Sequence, residues 1–338
     1  MAVISLIERE KKTSKGLLPI EWVVATYLVG TTIMMLVIYP KLHSPEYMLL
    51  TRSEVVVGTI LSYGLFRLWP CRLTRFIRIG IQLVFLALWY PDTYELNRMS
   101  PNMDHIFAQL EQDCFGCQPA LLFYQWADNP IFSELMDLGY AAYYPMIVVV
   151  VVYYFIWRYD EFDRASFIVA TSFFIYYVIF IAVPVTGPQF YYKAVGLNDI
   201  AHGIFPNVND WFNAHQDVME SPGYKDGFFY KIVADAHNAG ERPTAAFPSS
   251  HVGIGTILMI LAWTAYDTKG SRKGRRKAAK KKRMLFYILL PFYLLMCAST
   301  VYILAHYAID VVAGWISAIV FYFILHYTYR YLLQGMAD

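Results

Sequence analysis

Charged side chains are scarce in this 338-residue chain: Asp, Glu, Lys and Arg make up 16% of the residues, and hydrophobic residues 57%. Soluble domains average about 25% charged and 45–50% apolar residues. The chain therefore has too few charges to cover a water-soluble surface of its size, and its hydrophobic content excludes disorder. Only four cysteines are present, which excludes a small disulfide scaffold. The composition indicates a membrane protein.

Long apolar runs confirm this class and predict the fold. A helix needs about 20 apolar residues to cross roughly 30 Å of hydrocarbon. The sequence predicts an all-α, polytopic membrane helical bundle of about eight spans, in which Arg67 and Arg78, near the ends of the second and third spans, extend toward the interface. The predicted spans are 22–39, 54–70, 76–91, 140–157, 166–184, 251–266, 284–303 and 308–328.

The basic residues are distributed unevenly between the two sides of this bundle. With the N-terminus inside, 21 of the 28 Lys and Arg residues lie on the inner side, and ten of them fall within 269–283. The positive-inside rule then predicts that both termini are cytoplasmic. The 269–283 segment is interpreted as a solvated, positively charged inner loop between two spans rather than a nucleic-acid-binding segment, with contact to anionic lipid headgroups as an additional role.

Two long segments, 92–138 and 185–250, fall on the outer side, and loops of this length usually have a function. In the first, Cys114 and Cys117 are close enough to form a disulfide loop; a metal site is less favoured because zinc needs four ligands. The predicted organisation is an N-terminal segment with two accessory spans (1–75), a six-span core (76–330) and a C-terminal tail (331–338).

The first motif with residues typical of a binding or catalytic site, at 241–253, leads into the sixth predicted span. Pro248 keeps the preceding residue out of helical conformation, and Ser249 is a suitable helix cap. A helix N-terminus that carries the Ser249 and Ser250 hydroxyls beside Arg242 can bind an anion, and a phosphate group fits it well.

The second motif, at 299–314, joins the last two spans on the same side as the first. His306 and Asp310 are four residues apart, so on a helix they share a face, and the carboxylate can accept a hydrogen bond from the imidazole Nδ1–H. That bond would leave Nε2 as a nucleophile or base. A proton relay in a transporter and a cation site formed by His251, His306 and Asp310 remain as alternatives.

Both motifs resemble the signature of the type 2 phosphatidic acid phosphatase superfamily, which is written KxxxxxxRP, PSGH and SRxxxxxHxxxD. Three positions differ: Asp235 replaces the Lys of the first motif, Ser250 the Gly of the second and Thr300 the Arg of the third. The variants Ala-Phe-Pro-Ser-x-His and Ser-Thr-Val-Tyr are similar to the inositol phosphorylceramide synthase branch, which includes the fungal enzyme and bacterial relatives. The Pro-Val-Thr-Gly-Pro-Gln-Phe-Tyr segment at 184–191 resembles the first conserved segment of that branch.

The resemblance implies a core of six spans and a transfer reaction through a phosphohistidine. It implies that His306 is the nucleophile, Asp310 orients it, and His251 is the acid and base. The phosphate would be held by backbone N–H groups and by residues from both motifs and the outer segment, namely Gly187, Pro188, Lys193, Lys231, Arg242, Ser249 and Ser250. No metal or other cofactor is implied.

The expected donor is phosphatidylinositol and the expected acceptor a ceramide-like alcohol, with the site on the outer, periplasmic or lumenal, face. A lipid phosphatase that acts on phosphatidate, a diphosphate lipid or a phosphoinositide phosphate is the alternative within catalysis. A proton-coupled transporter is the alternative outside it, although such folds often show internal repeats that this sequence lacks.

Overall fold

The computed structural model describes residues 6–10, 16–125, 129–265 and 283–333, and this part of the chain is helical with no β-strand. In chain order the α-helices are α1 (Pro19–Val37), α2 (Pro45–Leu68), α3 (Arg72–Val84), α4 (Leu86–Asn97), α5 (Asp104–Phe115), α6 (Pro119–Gln125), α7 (Pro130–Ala141), α8 (Tyr143–Trp157), α9 (Phe162–Ala182), α10 (Pro188–Val195), α11 (Leu197–Ala201), α12 (Phe228–Gly240), α13 (Ser250–Thr264), α14 (Met284–Tyr302) and α15 (Ala308–Thr328).

The predicted polytopic all-α bundle is confirmed, and each predicted span falls on one or two of these helices. Within the described residues, six segments are long and apolar enough to cross a membrane: Pro19–Val37, Pro45–Leu68, Arg72–Asn97, Tyr159–Ala182, Met284–Tyr302 and Ala308–Tyr331. The fourth predicted span is a pair, α7 and α8, that bends by 46°. The sixth, α13, has only 15 residues and is therefore shorter than a full crossing.

The centre of the bundle is α9, which packs against α1, α4, α8, α13 and α15. Most of its side chains are buried, and many of them are Phe and Tyr. Next to it, α13 is also enclosed because Gly253 allows the ring of Tyr176 to approach its backbone: a Cβ at this glycine would lie 1.8 Å from the tyrosine hydroxyl oxygen. This close approach places the start of α13 inside the protein.

Buried ion pairs attach the first two helices to the two that follow them. Arg78 on α3 donates Nε to Glu21 of α1 at 2.6 Å, and Arg52 on α2 donates to Asp92 of α4 at 2.6 Å. The prediction that Arg78 extends to the interface is wrong, since its side chain is fully buried against that carboxylate. Arg67 is exposed, as expected.

Of the two long segments, 92–138 is mostly helical, whereas 185–250 joins short helices by extended stretches and turns. Residues 92–138 contribute the end of α4, then α5, α6 and most of α7, and residues 185–250 contain α10, α11 and α12. Cys114 and Cys117 are free thiols at the end of α5, so the structure contains no bond between them. Most of the basic 269–283 segment and of the 331–338 tail lies outside the described residues; Arg283, which is described, stacks over the Trp263 ring at 3.9 Å.

Candidate active site

The first motif forms the N-terminus of α13, locked against α15. Ser249 is the N-cap residue: its Oγ accepts a hydrogen bond from Val252 N at 3.3 Å, and its own N–H donates to Asp310 O at 3.0 Å. A Cβ on Gly314 would lie 2.8 Å from Ser249 O, so only a glycine lets the two helices approach this closely. His251 is thereby held in the first turn of α13.

The second motif forms a tight loop between α14 and α15. Leu304 has a φ of 67°, which ends the helical path after Tyr302. His306 donates its backbone N–H to Thr300 O at 3.0 Å, and α15 starts only at Ala308. The four-residue spacing predicts that His306 and Asp310 lie on one helix. In the structure His306 lies in a loop, before that helix begins.

The two histidines meet at this end of the bundle. His306 Nε2 lies 3.4 Å from His251 Nδ1, and the ring centroids are 5.6 Å apart. His306 Nδ1 lies 2.7 Å from the carbonyl oxygen of Ala246. A carbonyl oxygen only accepts hydrogen bonds, so Nδ1 carries the proton and the lone pair of neutral His306 is on Nε2, facing His251.

Asp310 takes a different hydrogen bond from the one that its spacing predicts. Its Oδ2 lies 3.6 Å from His306 Nδ1, too far for a hydrogen bond, and accepts the backbone N–H of Tyr307 at 2.9 Å. The Ala246 carbonyl, which has no side-chain signature in the sequence, takes the place expected for the carboxylate. Asp310 instead caps the helix that follows the histidine.

Burial keeps His306 neutral. His306 is 3% exposed. Burial lowers the pKa of His306 to about 4, although its hydrogen bond to Ala246 acts to raise that pKa. Loss of solvent disfavours the charged imidazolium. At neutral pH the imidazole is therefore a free base with an available lone pair.

Two tyrosines enclose His251, and the motifs gave no indication of them. Tyr140 stacks on the imidazole with centroids 4.7 Å apart and an interplanar angle of 28°, and Tyr143 contacts it at 4.4 Å. In the sequence these residues resemble the aromatic belt that flanks most membrane spans. Their position at the bend between α7 and α8 turns them toward the histidine.

The predicted phosphate-binding residues separate into two groups. Gly187, Pro188 and Ser249 are buried beside the histidine loop, and Ser250 is half-buried at the start of α13. The cations lie elsewhere on the 185–250 segment: Arg242, Lys193 and Lys231 have exposed side chains, and Arg242 donates to Gln216 Oε1 at 3.1 Å.

At the two substituted cation positions no cationic side chain is present, and the one contact described above is between backbones, from His306 N–H to Thr300 O. Asp235 is exposed on α12, and Thr300 is buried with its hydroxyl donating to Cys297 O at 3.0 Å. Within the described ranges no group of three or more His, Cys, Asp or Glu side chains is arranged to hold a metal ion.

A family model described as the PAP2 superfamily matches residues 105–324, about two thirds of the chain. The chain belongs to the PAP2 superfamily. This confirms the superfamily that the motifs indicate, and makes the protein an integral membrane enzyme of the phosphatase and phosphotransferase type that acts on lipids. The match contains both histidines of this PAP2 protein and the segment at 184–191. Neither the curated proteins nor the solved structures gave a match.

Proposed function

We propose that this PAP2 protein is a lipid phosphotransferase that moves phosphoinositol from phosphatidylinositol to a ceramide-like alcohol. The observation that carries the proposal is the His306 imidazole, which is buried, holds its proton on Nδ1 against the Ala246 carbonyl, and directs Nε2 toward His251. The sequence resemblance to the inositol phosphorylceramide synthase branch supports this choice of substrates.

In the first step, His306 Nε2 attacks the phosphorus of the donor lipid. The bond between phosphorus and the diacylglycerol oxygen breaks, and a protonated His251 gives its proton to the departing alkoxide. The product is diacylglycerol and a phosphohistidine that carries inositol. Splitting one difficult transfer into two displacements is the advantage of a covalent intermediate.

In the second step, His251 takes the proton from the acceptor hydroxyl, whose oxygen attacks the phosphorus. The P–N bond to His306 breaks and the lone pair returns to Nε2, so the enzyme regains its starting state. General acid and base help of this kind contributes about 10²–10⁴-fold. The Tyr140 and Tyr143 rings hold the His251 imidazole in one orientation for both proton transfers.

The N-terminus of α13 supplies the partial positive charge for the phosphate, together with the Ser250 hydroxyl. Arg242, Lys193 and Lys231, which are exposed on the outer segment, would approach the headgroup when lipid binds. The proposal thus assigns charge stabilisation mainly to backbone N–H groups, because the two cationic positions of the superfamily signature are Asp235 and Thr300 here.

The packing of residues 220–230 on α7, the helix whose Tyr140 stacks on His251, and the burial of His306 favour a lipid alcohol over water as acceptor. The 220–230 part of the outer segment is attached to α7: Tyr224 N donates to Ser133 Oγ at 2.9 Å, and Phe229 N donates to Glu134 Oε2 at 3.1 Å. His306 is 3% exposed beneath the outer segment. An intermediate that water reaches slowly is able to wait for a second lipid.

The orientation of the bundle is part of the proposal. Residue contacts place the start of α13, the loop after α14 and residues 185–187 at one end of the bundle. The distribution of basic residues puts that end outside, with both termini in the cytoplasm. The phosphoryl transfer would then take place in the periplasmic or lumenal leaflet.

The test is a product analysis with purified protein in mixed micelles of phosphatidylinositol and ceramide. We expect diacylglycerol and inositol phosphorylceramide in equal amounts, and loss of both products in His306→Ala. His202→Ala is the matched control, because this histidine is exposed on the outer segment and bonds only its own helix end at Asn198 O.

Four outcomes contradict parts of the proposal. Inositol phosphate released without ceramide would show that water is the acceptor, and inorganic phosphate released from phosphatidate would establish the lipid phosphatase. Retained turnover in His306→Ala would remove this residue as the nucleophile. Proton-coupled flux in sealed vesicles without lipid turnover would establish the transporter.

A further inference from the structure

Asp104, at the start of α5, is the centre of a buried hydrogen-bond cluster that neither motif includes. Its side chain has no exposed surface. The carboxylate accepts five hydrogen bonds, from Asn102 Nδ2 (2.6 Å), Thr186 N (2.7 Å), Thr186 Oγ1 (2.9 Å), Gly187 N (2.9 Å) and Tyr307 OH (3.0 Å). Three separate parts of the chain therefore meet on one acidic side chain.

One set of these bonds reaches His306 through the 185–189 segment. Asp104 fixes the backbone of Thr186 and Gly187, and the neighbouring Val185 O accepts the N–H of Ala246 at 3.0 Å. Ala246 O in turn holds the Nδ1–H of His306. The position of the acceptor that sets the His306 tautomer thus depends on where Asp104 holds this segment.

The other bond reaches the histidine from the opposite direction. Tyr307 follows His306 directly, and both of its hydrogen-bond donors are fixed: its hydroxyl donates to Asp104 Oδ1 at 3.0 Å, and its backbone N–H to Asp310 Oδ2 at 2.9 Å. The ring itself is fully buried. With its neighbour held in this way, the His306 loop has little freedom to rotate.

A second carboxylate on α5 supports the same loop. Glu111 lies seven residues after Asp104, two helical turns along the same face, and accepts the N–H of Ile309 at 3.1 Å in the first turn of α15. Both side chains are buried. The acidic face of α5 is thus built against the residues that follow His306, and an unpaired carboxylate at this depth would be costly.

We infer that Asp104 is a positioning residue for phosphoryl transfer, whose carboxylate fixes the His306 loop and the Ala246 carbonyl relative to each other so that Nε2 faces His251. This inference rests on the proposed function in one respect, that His306 is the nucleophile. Asp104 itself touches neither histidine and no reacting atom, and it lies 203 positions before Tyr307 in the sequence.

The chain offers a matched pair of variants for the test. Tyr307→Phe removes one hydroxyl from the Asp104 cluster and keeps the ring. Tyr192→Phe removes an equally buried hydroxyl that donates to Gln118 at 2.8 Å, from a ring that lies 6.3 Å from Tyr307. Asp104→Asn, which places a donor where Thr186 and Gly187 N–H groups require acceptors, is the stronger perturbation.

The first readout is turnover of phosphatidylinositol with ceramide in mixed micelles. A displacement of the nucleophile lowers kcat and leaves lipid binding intact, so we expect kcat to fall about 10-fold in Tyr307→Phe and about 100-fold in Asp104→Asn, with KM within about 2-fold. Tyr192→Phe should retain wild-type kcat. A merely structural role would lower thermal stability in both tyrosine variants equally and leave kcat per folded molecule unchanged.

The second readout does not depend on the lipid substrate. Diethyl pyrocarbonate modifies accessible neutral imidazoles, and mass spectrometry of peptides measures its rate at His306. Looser packing of the loop in Tyr307→Phe should raise that rate by about 5-fold or more, and Tyr192→Phe should not. Equal rates at His306 in the wild type, Tyr307→Phe and Asp104→Asn would overturn the inference, even for a protein that proves to use other lipids. If the wild type shows no turnover of these lipids but the variants show the expected rise in modification rate at His306, the proposed function is overturned and the inference about Asp104 stands.

Discussion

Replacing Gly187 with alanine is expected to inactivate the enzyme through a displacement of the His306 loop. Gly187 is the N-cap residue of α10 and has a φ of 90°. A Cβ at this position would lie 2.5 Å from Ala305 O and 3.2 Å from Ala246 Cβ. The first of these residues precedes His306, and the second accepts its Nδ1–H. The added methyl group thus presses on both neighbours that set the imidazole position.

The size of the effect follows from these distances. Ordinary van der Waals contact begins at 3.4 Å, so the Ala305 carbonyl and Gly187 must separate by about 0.9 Å, the difference from 2.5 Å. A misplacement of about 1 Å lowers turnover roughly 100-fold. The left-handed φ adds about 1–3 kcal/mol of backbone strain for a residue with a side chain. We expect Gly187→Ala to lose both activity and stability.

Gly196 at the other end of α10 provides the control. It has a φ of 99°, and a Cβ there meets nothing within 4 Å. Gly196→Ala should therefore lose a similar amount of stability from strain and keep its turnover within about 2-fold. The assay is the initial rate of diacylglycerol release in mixed micelles, with thermal unfolding of each variant. Equal activity of the two variants would refute the argument that Gly187 is required by the His306 loop.

Three further predictions concern pH, a buried ion pair and orientation. The pKa of His306 is about 4 in the folded chain and 6.5 in the unfolded chain, so the unfolded chain binds the proton first as the pH falls. Between pH 7 and pH 4, His306 should therefore reduce the free energy of unfolding by up to about 3 kcal/mol. Arg78→Met should destabilise the protein by about 3–5 kcal/mol, and adding Glu21→Leu should restore most of that loss, since no charge then stays buried alone. A membrane-impermeant maleimide added outside sealed vesicles should label the exposed Cys114.

Each of these predictions has a defined contrary result. The pH effect is measured by denaturant unfolding against His306→Asn, and identical pH dependence in both proteins would contradict the buried neutral imidazole. A double variant no more stable than Arg78→Met would show that packing and not the isolated charge sets the loss. Labelling of Cys114 only after the vesicles are opened would reverse the proposed topology; the buried Cys71 and Cys297 report any unfolding.

Hydropathy predicted the helices well, because burial in lipid requires long apolar segments whatever their partners are. It could not predict that α13 has only 15 residues and is mostly buried by other helices. The hydropathy of an apolar segment is the same whether lipid or protein surrounds it. Arg78 shows the converse limit. A cation at a helix end usually reaches the interface, but Glu21 on another helix pairs with this one inside the bundle.

Within the site, the motif residues were predictable and their contacts were not. The spacing of His306 and Asp310 predicted a shared helix face, but Leu304, with its φ of 67°, breaks the path and leaves the histidine in a loop. That turn is held by a bond from Gln189 N to Leu304 O, a contact between distant parts of the chain. No local pattern encodes it.

Residue types and their spacing are enough to identify a polytopic helical membrane protein of the PAP2 superfamily, with His251 and His306 in motifs that return to one end of the bundle. These features depend on side-chain type and on spacing along the chain, which are both local. The atoms that hold His306 are known only from the packed fold: the carbonyl of Ala246, the hydroxyl of Tyr307 and, through them, the carboxylate of Asp104. Backbone carbonyls are present at every position, and a buried carboxylate is stabilised by whichever donors the fold brings to it.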